Sequence, residues 1–263
     1  MTVKSQNANP SAAPAAPEPR SKSPREVATC DKVPTPSVLR DTVLFQGLPD
    51  DDLVAISRLM HSSILPPSVD ILTVKKPSEL VFVLIRGTVK IYLHQADGAD
   101  VILGILGAGE VLGEVSSVDG KTPSANVMTL EESHFLCIER PLLWQSMQTM
   151  PILGYNVAQI LARRLRLATS QIQSYATLDA YGRVARQLLA FAQEYGRKTK
   201  NGDVLIPMHL TQTDLADLIG ASRVRVNRVI MDFKNQKHIS VDANHRITIH
   251  NFAALRERCR SLA

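Results

Sequence analysis

The chain has 263 residues, enough for about two domains, and 44% of them are hydrophobic, so sizeable cores are within reach. No apolar run approaches the roughly 18 residues of a membrane-spanning helix, and the polar N-terminus lacks a signal-peptide core, which argues against an embedded or secreted protein and predicts a cytoplasmic one with no membrane partner. The net charge of +5 is unevenly spread: residues 41–150 carry seven Lys/Arg against fourteen Asp/Glu, and residues 178–263 carry fourteen against eight. A basic last third suggests a nucleic-acid partner, although a solvated basic face has the same composition.

Residues 1–38 hold seven of the fifteen prolines and few long apolar side chains. Such a segment buries too little surface to offset its ordering entropy, so it reads as a disordered tail, one that could also order on binding. Leu44–His61 reads as a helix opened by Pro49-Asp50, with Leu53, Ile56, Leu59 and Met60 as its apolar stripe. From Ile64 to Ile138 the pattern changes to short apolar runs between turn residues: Leu80–Ile85, Val89–Leu93, Val101–Leu103, Asn126–Met128 and Phe135–Ile138. Closely spaced strands with glycine-rich turns predict an antiparallel sandwich or barrel, with a hairpin turn at Gln95–Ala99.

From Pro151 the period is helical. Ala158, Leu161, Leu165, Ala168, Ile172 and Tyr175 repeat at alternating spacings of three and four, a coiled-coil seam. Leu153, Val157, Ile160 and Leu167 form a second stripe, suited to the sheet domain. Two stripes fit a homodimer whose paired helices also cover their own barrels, or a helix buried on two sides within one chain. Ala176–Asp179 breaks the pattern as a hinge. Asp179 can N-cap a helix to about Tyr195 with core face Val184, Leu188, Leu189 and Phe191, ended by Gly196, and Val204–Met208 reads as a strand.

The most specific signal is Thr211–Phe233. Thr211 caps a short helix with Asp214 three residues on, and Leu215 and Leu218 face inward. Gly220-Ala221 makes a tight turn and Ser222 caps a second helix, whose Val226, Val229, Ile230 and Phe233 point inward. Arg223, Val224, Asn227 and Arg228 share the opposite face. This is a helix-turn-helix, and Ile239–Val241 with Arg246–Ile249 makes a two-stranded wing. A guanidinium matches the N7 and O6 acceptors of guanine, so Arg223 and Arg228 suit base or phosphate contact. Val224 can sense only shape or a thymine methyl, Asn227 adenine or phosphate, and Arg225 leans toward phosphate; Thr211, Gln212 and Ser222 complete the candidate DNA-binding set.

These residues also carry a family resemblance. Gly109-Glu-Val-Leu-Gly-Glu114, Ser124-Ala125, Ala162-Arg-Arg-Leu-Arg-Leu167, Leu178-Asp179 with Gly182-Arg183, and Leu215–Arg223 through Arg228 resemble the cyclic-AMP receptor / fumarate–nitrate regulator (CRP/FNR) family over residues 44 to 260. The resemblance implies an α+β chain: a disordered tail (1–38), an antiparallel β-roll effector domain of cyclic-nucleotide-binding type (39–148), a dimerisation helix and hinge (149–177), and a winged helix-turn-helix domain (178–263). It implies a homodimer on a pseudo-palindromic DNA site and contact with RNA polymerase. Arg223-Val224 with Arg228 is similar to the nitrogen-control branch, implying a GTA-type half-site.

The same resemblance places effector contacts at Gly113, Glu114, Ser124, Ala125, Arg164, Ala168 and Thr169. Two departures stand out. Pro123 occupies the place of the family's phosphate-binding arginine, and Ala168-Thr169 that of its Thr-Ser adenine contact. Losing an arginine–phosphate pair costs on the order of 2–5 kcal/mol, so conventional cyclic-AMP sensing is not expected. Other effectors remain open: a cyclic dinucleotide, aided by Arg20, Lys22 and Arg25; a small-molecule acid; a regulatory protein; or none. A roll serving mainly as a receptor or protein-binding module, with DNA contact secondary, is the rival reading. The seven histidines and three cysteines show no metal-ligand spacing, so no metal is expected, and Cys137 reads as an inert core thiol. No nucleophile–base pair or phosphate-binding loop suggests an enzyme.

Overall fold

The structure, a computed structural model, describes residues 29–30, 33–40, 42–95 and 100–260. The first part runs β1 (Thr29–Cys30), α1 (Pro36–Arg40), a 3-10 turn (Val43–Phe45), α2 (Asp50–Ser57), β2 (Met60–Leu65), β3 (Asp70–Leu72), β4 (Leu80–Arg86), β5 (Val89–His94), β6 (Asp100–Leu106), β7 (Val111–Leu112), α3 (Glu114–Asp119), β8 (Asn126–Thr129), β9 (Ser133–Glu139) and α4 (Arg140–Thr149). A 27-residue helix, α5 (Pro151–Thr177), follows. The second part runs α6 (Ala180–Tyr195), β10 (Arg197–Lys198), β11 (Val204–Ile206), α7 (Gln212–Ile219), α8 (Arg223–Asn235), β12 (Ile239–Val241), β13 (Ile247–Ile249) and α9 (Phe252–Arg258).

Two antiparallel sheets, ordered β1-β2-β9-β4-β7 and β3-β8-β5-β6, make the roll. The period-2 geometry of strands sorts β4 and β9 onto two cores. Phe82, Leu84, Phe135 and Cys137 point between the sheets, where the Phe82 and Phe135 rings meet edge to face at 5.9 Å. Val81, Val83, Leu136 and Ile138 point the other way, onto Leu39, Phe45, Leu53 and the Leu153, Val157, Ile160 stripe of α5. Burial on both faces is why Leu80–Ile85 is apolar without alternation. Gly87 turns β4 into β5 at φ +112°, and any side chain there would stand 2.8 Å from the Ser133 backbone.

Several expectations are corrected. The expected tail boundary at residue 38 falls inside α1, because Leu39 is fully buried under the roll, and Thr29–Cys30 pairs with β2; residues 1–28, including Arg20, Lys22 and Arg25, lie outside the described residues. The helix expected to reach His61 stops at Ser57, and Met60–Leu65 joins the sheet opposite β9. Leu53 and Ile56 are buried as expected, but Leu59 is exposed. Strands β3 and β7 lie inside the expected strand region but outside the runs named for it, and Val204–Met208 shortens to Val204–Ile206. β5 and β6 pair as the hairpin reading requires, with His94 opposite Asp100, while residues 96–99 of the turn lie outside the described residues.

On α5, Leu153, Val157 and Ile160 are buried, but Leu167 is exposed at the rim of a cavity between α5 and β6 rather than packed on the roll. The seam residues Leu165 and Ile172 are 69% and 68% exposed. Trp144, the sole tryptophan, is half-exposed beside this face and lines an apolar hollow with Met147, Gly154, Ala158 and Leu161. Gly196 follows α6 as expected but with φ of −64° rather than in a left-handed cap. It must be glycine for space, since a Cβ there would lie 2.1 Å from the Ala192 carbonyl.

The two parts are docked. Tyr92, Ile102 and Ile105 of β5 and β6 share one apolar cluster with α6, α7 and α8. A buried carboxylate fastens the same junction. Glu110, 3% exposed, accepts two hydrogen bonds from Arg163 of α5 at 2.7 and 2.8 Å and one from the Tyr195 hydroxyl of α6 at 2.9 Å. Arg163 also pairs with Glu194.

Burial and the adjacent Glu110 carboxylate raise the Tyr195 phenol well above its ordinary pKa of 10. An unfolded tyrosine titrates near pH 10, so the stability that neutral Tyr195 contributes is complete below about pH 10 and is lost as pH rises toward the raised value. Urea denaturation from about pH 9 to 11 is expected to show a steeper loss of stability for the parent chain than for Tyr195→Phe; equal slopes would contradict the role given to this phenol.

Candidate nucleic-acid interface and effector pocket

The DNA-facing elements form where local chemistry directs them. The Thr211 hydroxyl accepts from the Asp214 backbone N–H at 3.1 Å and starts α7. Gly220 ends it in the left-handed region at φ +64°, the conformation that favours glycine. Ser222 then accepts from the Arg225 N–H at 3.3 Å and starts α8. Val226, Val229, Ile230 and Phe233 are buried, which rotates Arg223, Val224, Arg225, Asn227 and Arg228 outward; all five are exposed, Val224 by 76%. Thr211 and Gln212, at the α7 N-terminus, share a groove with Arg223 and the wing residue His245. Arg223, Arg225 and Arg228 have no carboxylate partner among the described residues.

The wing is larger than expected. β12 and β13 pair as read from sequence, and β11 and β10 extend them to a four-stranded sheet. The Asp242 carboxylate shapes the wing turn by accepting from the Asn244 and Arg246 N–H groups at 2.9 and 2.8 Å. Asp179 caps α6 through the Gly182 N–H at 2.8 Å; the break expected at Ala176–Asp179 is shorter, because α5 runs through Thr177 and only Leu178-Asp179 separates the two helices.

The candidate effector residues are only partly gathered. Gly113, Glu114, Ser124, Ala125 and Arg164 line one recess together with Pro123. Gly113 adopts φ +87° ahead of α3 and turns Glu114 inward. The Glu114 side chain is buried, and Arg164 donates to it at 2.6 Å and to the Val111 carbonyl. Burial pushes the Glu114 carboxyl above its ordinary pKa, opposed by the Arg164 charge. With the guanidinium inside, about 50 Å³ of the recess remains open. Ala168 and Thr169 do not join it. Ala168 lines a separate cavity of about 210 Å³ between β6, α5 and α6, and the exposed Thr169 donates to the Leu165 carbonyl.

Of the seam residues, Ala158, Leu165, Ala168 and Ile172 are exposed on one chain, whereas Leu161 is half-buried. Tyr175 is engaged within its own chain: its hydroxyl donates to the Leu218 carbonyl of α7 at 2.7 Å, and Arg183 lies over its ring. Sequence reading missed Glu110, Arg163 and Tyr195 as the junction between the two parts. Arg163 sits inside a quoted motif, but its partner is 53 positions away, and Tyr195 pairs across 85. Cys137 is buried, and burial pushes its thiol up to about 12, so it stays protonated. Among the described residues no group of three or more His, Cys, Asp or Glu side chains is placed to hold a metal ion, and no helix is long and apolar enough to cross a membrane.

Comparison with known proteins agrees with this architecture. Residues 65–150 match the cyclic nucleotide-binding domain, and residues 182–258 match the Crp-like helix-turn-helix domain. The chain is 30% identical over 206 residues to a CRP-like cAMP-activated global transcriptional regulator of Mycobacterium tuberculosis, covering 78% of this chain and 91% of that one. The structure of FixK2 from Bradyrhizobium japonicum superposes with a TM-score of 0.68 at 20% identity, covering 78% of this chain and 99% of that one. The c-di-GMP responsive global regulator CLP of Xanthomonas campestris superposes with a TM-score of 0.62 at 21% identity, covering 77% and 100%. With a cyclic-nucleotide-binding roll, a long helix and a Crp-like winged helix in this order, the chain belongs to the CRP/FNR family of transcription regulators.

Proposed function

We propose that the protein acts as a cytoplasmic homodimer that reads a pseudo-palindromic DNA site through paired α8 helices and contacts RNA polymerase there. The observation that carries this reading is the row of exposed, carboxylate-free arginines on a helix whose start is fixed by the Ser222 cap. Arg223 and Arg228 reach base edges, Arg225 the backbone, and Val224 a methyl-bearing or shape-defined step. Dimerisation places the second reading helix about one DNA turn away, and the exposed Leu165 and Ile172 are the apolar surface available for it.

In a gel-shift series on one preferred site and its point variants, Arg228→Ala is expected to cost about 1–3 kcal/mol and relax preference at one base pair. Arg225→Ala is expected to weaken all sequences alike and shallow the salt dependence. Equal, sequence-blind losses for both would overturn the assignment. Sedimentation of Leu165→Glu/Ile172→Glu is expected to give a monomer that has lost the two-half-site footprint; a monomeric parent chain would sink the dimer.

The roll of this chain is proposed to respond to something other than cyclic AMP bound in the familiar way, although the mycobacterial relative is named as cAMP-activated. Pro123 offers no charge to a cyclic phosphate, and Arg164 already engages Glu114. The remaining 50 Å³ falls far short of the roughly 300–1,000 Å³ of ordinary ligand pockets. A cyclic dinucleotide, a small acid, a partner protein or a ligand-free roll are the alternatives. Thermal unfolding with cyclic AMP at millimolar concentration is expected to show no shift, and a saturable upward shift would restore the conventional site.

A further inference from the structure

A cleft of about 640 Å³ separates the turn end of the roll from the wing sheet. Three arginines line it from both sides: Arg86 at the end of β4, Arg197 at the start of β10 and Arg246 just before β13. None of the three makes an ion pair or a side-chain hydrogen bond among the described residues. The Nε of Arg246 is buried without a partner, as are those of Arg163 and Arg164, but unlike those two Arg246 makes no ion pair among the described residues. Two carboxylates also line the cleft, and both are engaged elsewhere. Glu131 accepts from the Thr88 hydroxyl at 2.6 Å, and Glu194 pairs with Arg163.

Three guanidinia each present planar, multiply donating faces that match phosphate oxygens, and a cleft of this volume holds a nucleotide-sized molecule. Because the arginines stand on opposite walls, a ligand must carry charge at more than one point to reach them all. The residues of the α8 arginine row line no part of this cleft, and those of the Glu114 recess are likewise absent from it. We propose that the cleft between roll and wing is a binding site for a small polyphosphate-bearing molecule of the nucleoside di- or triphosphate class, held by Arg86, Arg197 and Arg246.

Isothermal titration of the full chain without DNA tests this, with inorganic triphosphate and ADP as probes at about 0.15 M salt. Saturable binding of one probe molecule per chain is expected for at least one of the two. Arg246→Gln and Arg86→Gln are each expected to weaken it by about tenfold or more, and Arg223→Gln on the DNA face to leave it unchanged. Arg86→Gln lies on an exposed strand end, so it carries the test if Arg246→Gln fails to fold. Absence of saturable binding by both probes overturns the proposal. Equal weakening by Arg223→Gln overturns it too, since the probes would then be occupying the DNA surface. So does a loss of DNA affinity in Arg86→Gln with probe binding intact, which would assign the cleft to the duplex backbone. Because binding is read without DNA, failure here is distinguishable from failure of the DNA-reading function.

Discussion

The arrangement of the molecule depends on one buried carboxylate. Glu110 lies in a water-poor junction where an unpaired charge would cost several kcal/mol, so it is tolerable only with its donors in place. Those donors come from two different elements, Arg163 from α5 and Tyr195 from the end of α6. The winged domain is therefore held to the roll at its N-terminal helix, while Ile102 and Ile105 of β6 pack against its helices nearby. Apolar packing supplies area without direction; the carboxylate adds direction, because one Arg163 nitrogen bridges both Glu110 oxygens while the other reaches Glu194, and the Tyr195 hydroxyl donates to the same carboxylate.

The two adjacent arginines of α5 give this junction a link to the effector recess. Arg163 serves Glu110, and Arg164 serves Glu114, four residues on. Arg164 also approaches Glu110 at 3.6 Å. An anionic occupant of the recess would compete with Glu114 for Arg164, and displacement of that guanidinium would change the charge around Glu110. The adjacent arginines thus make a continuous contact path from the recess to the Glu110–Tyr195 junction at the end of α6.

How far sequence reached depended on how local the determining interaction is. Thr211, Gly220 and Ser222 act within three residues of themselves, so α7, the turn and α8 were readable with their faces. The apolar β4 run was readable because both its faces are buried. The helix expected over Leu44–His61 was overextended, since Leu53, Ile56, Leu59 and Met60 satisfy helical spacing while Met60 obeys the pairing of β2 with β9. Short β3 and β7 carry too few residues for any period. Glu110, Arg163 and Tyr195 were unreadable as a set, because nothing local in the chain brings them together. Of the effector residues, those around Gly113-Glu114 and Ser124-Ala125 converge, but Ala168 and Thr169 do not, because the turn of α5 on which they sit lies past the recess. Within a single chain their seam neighbours Leu165 and Ile172 stay in water.

Trp144 has a use that follows from its place beside that seam. It is the sole indole, half in solvent, at the edge of the hollow formed with Met147, Ala158 and Leu161. Indole emission moves to shorter wavelength when water is removed from the ring. The protein thus carries its own optical gauge of whether the long helix is covered by another chain, readable on the unlabelled molecule at any dilution.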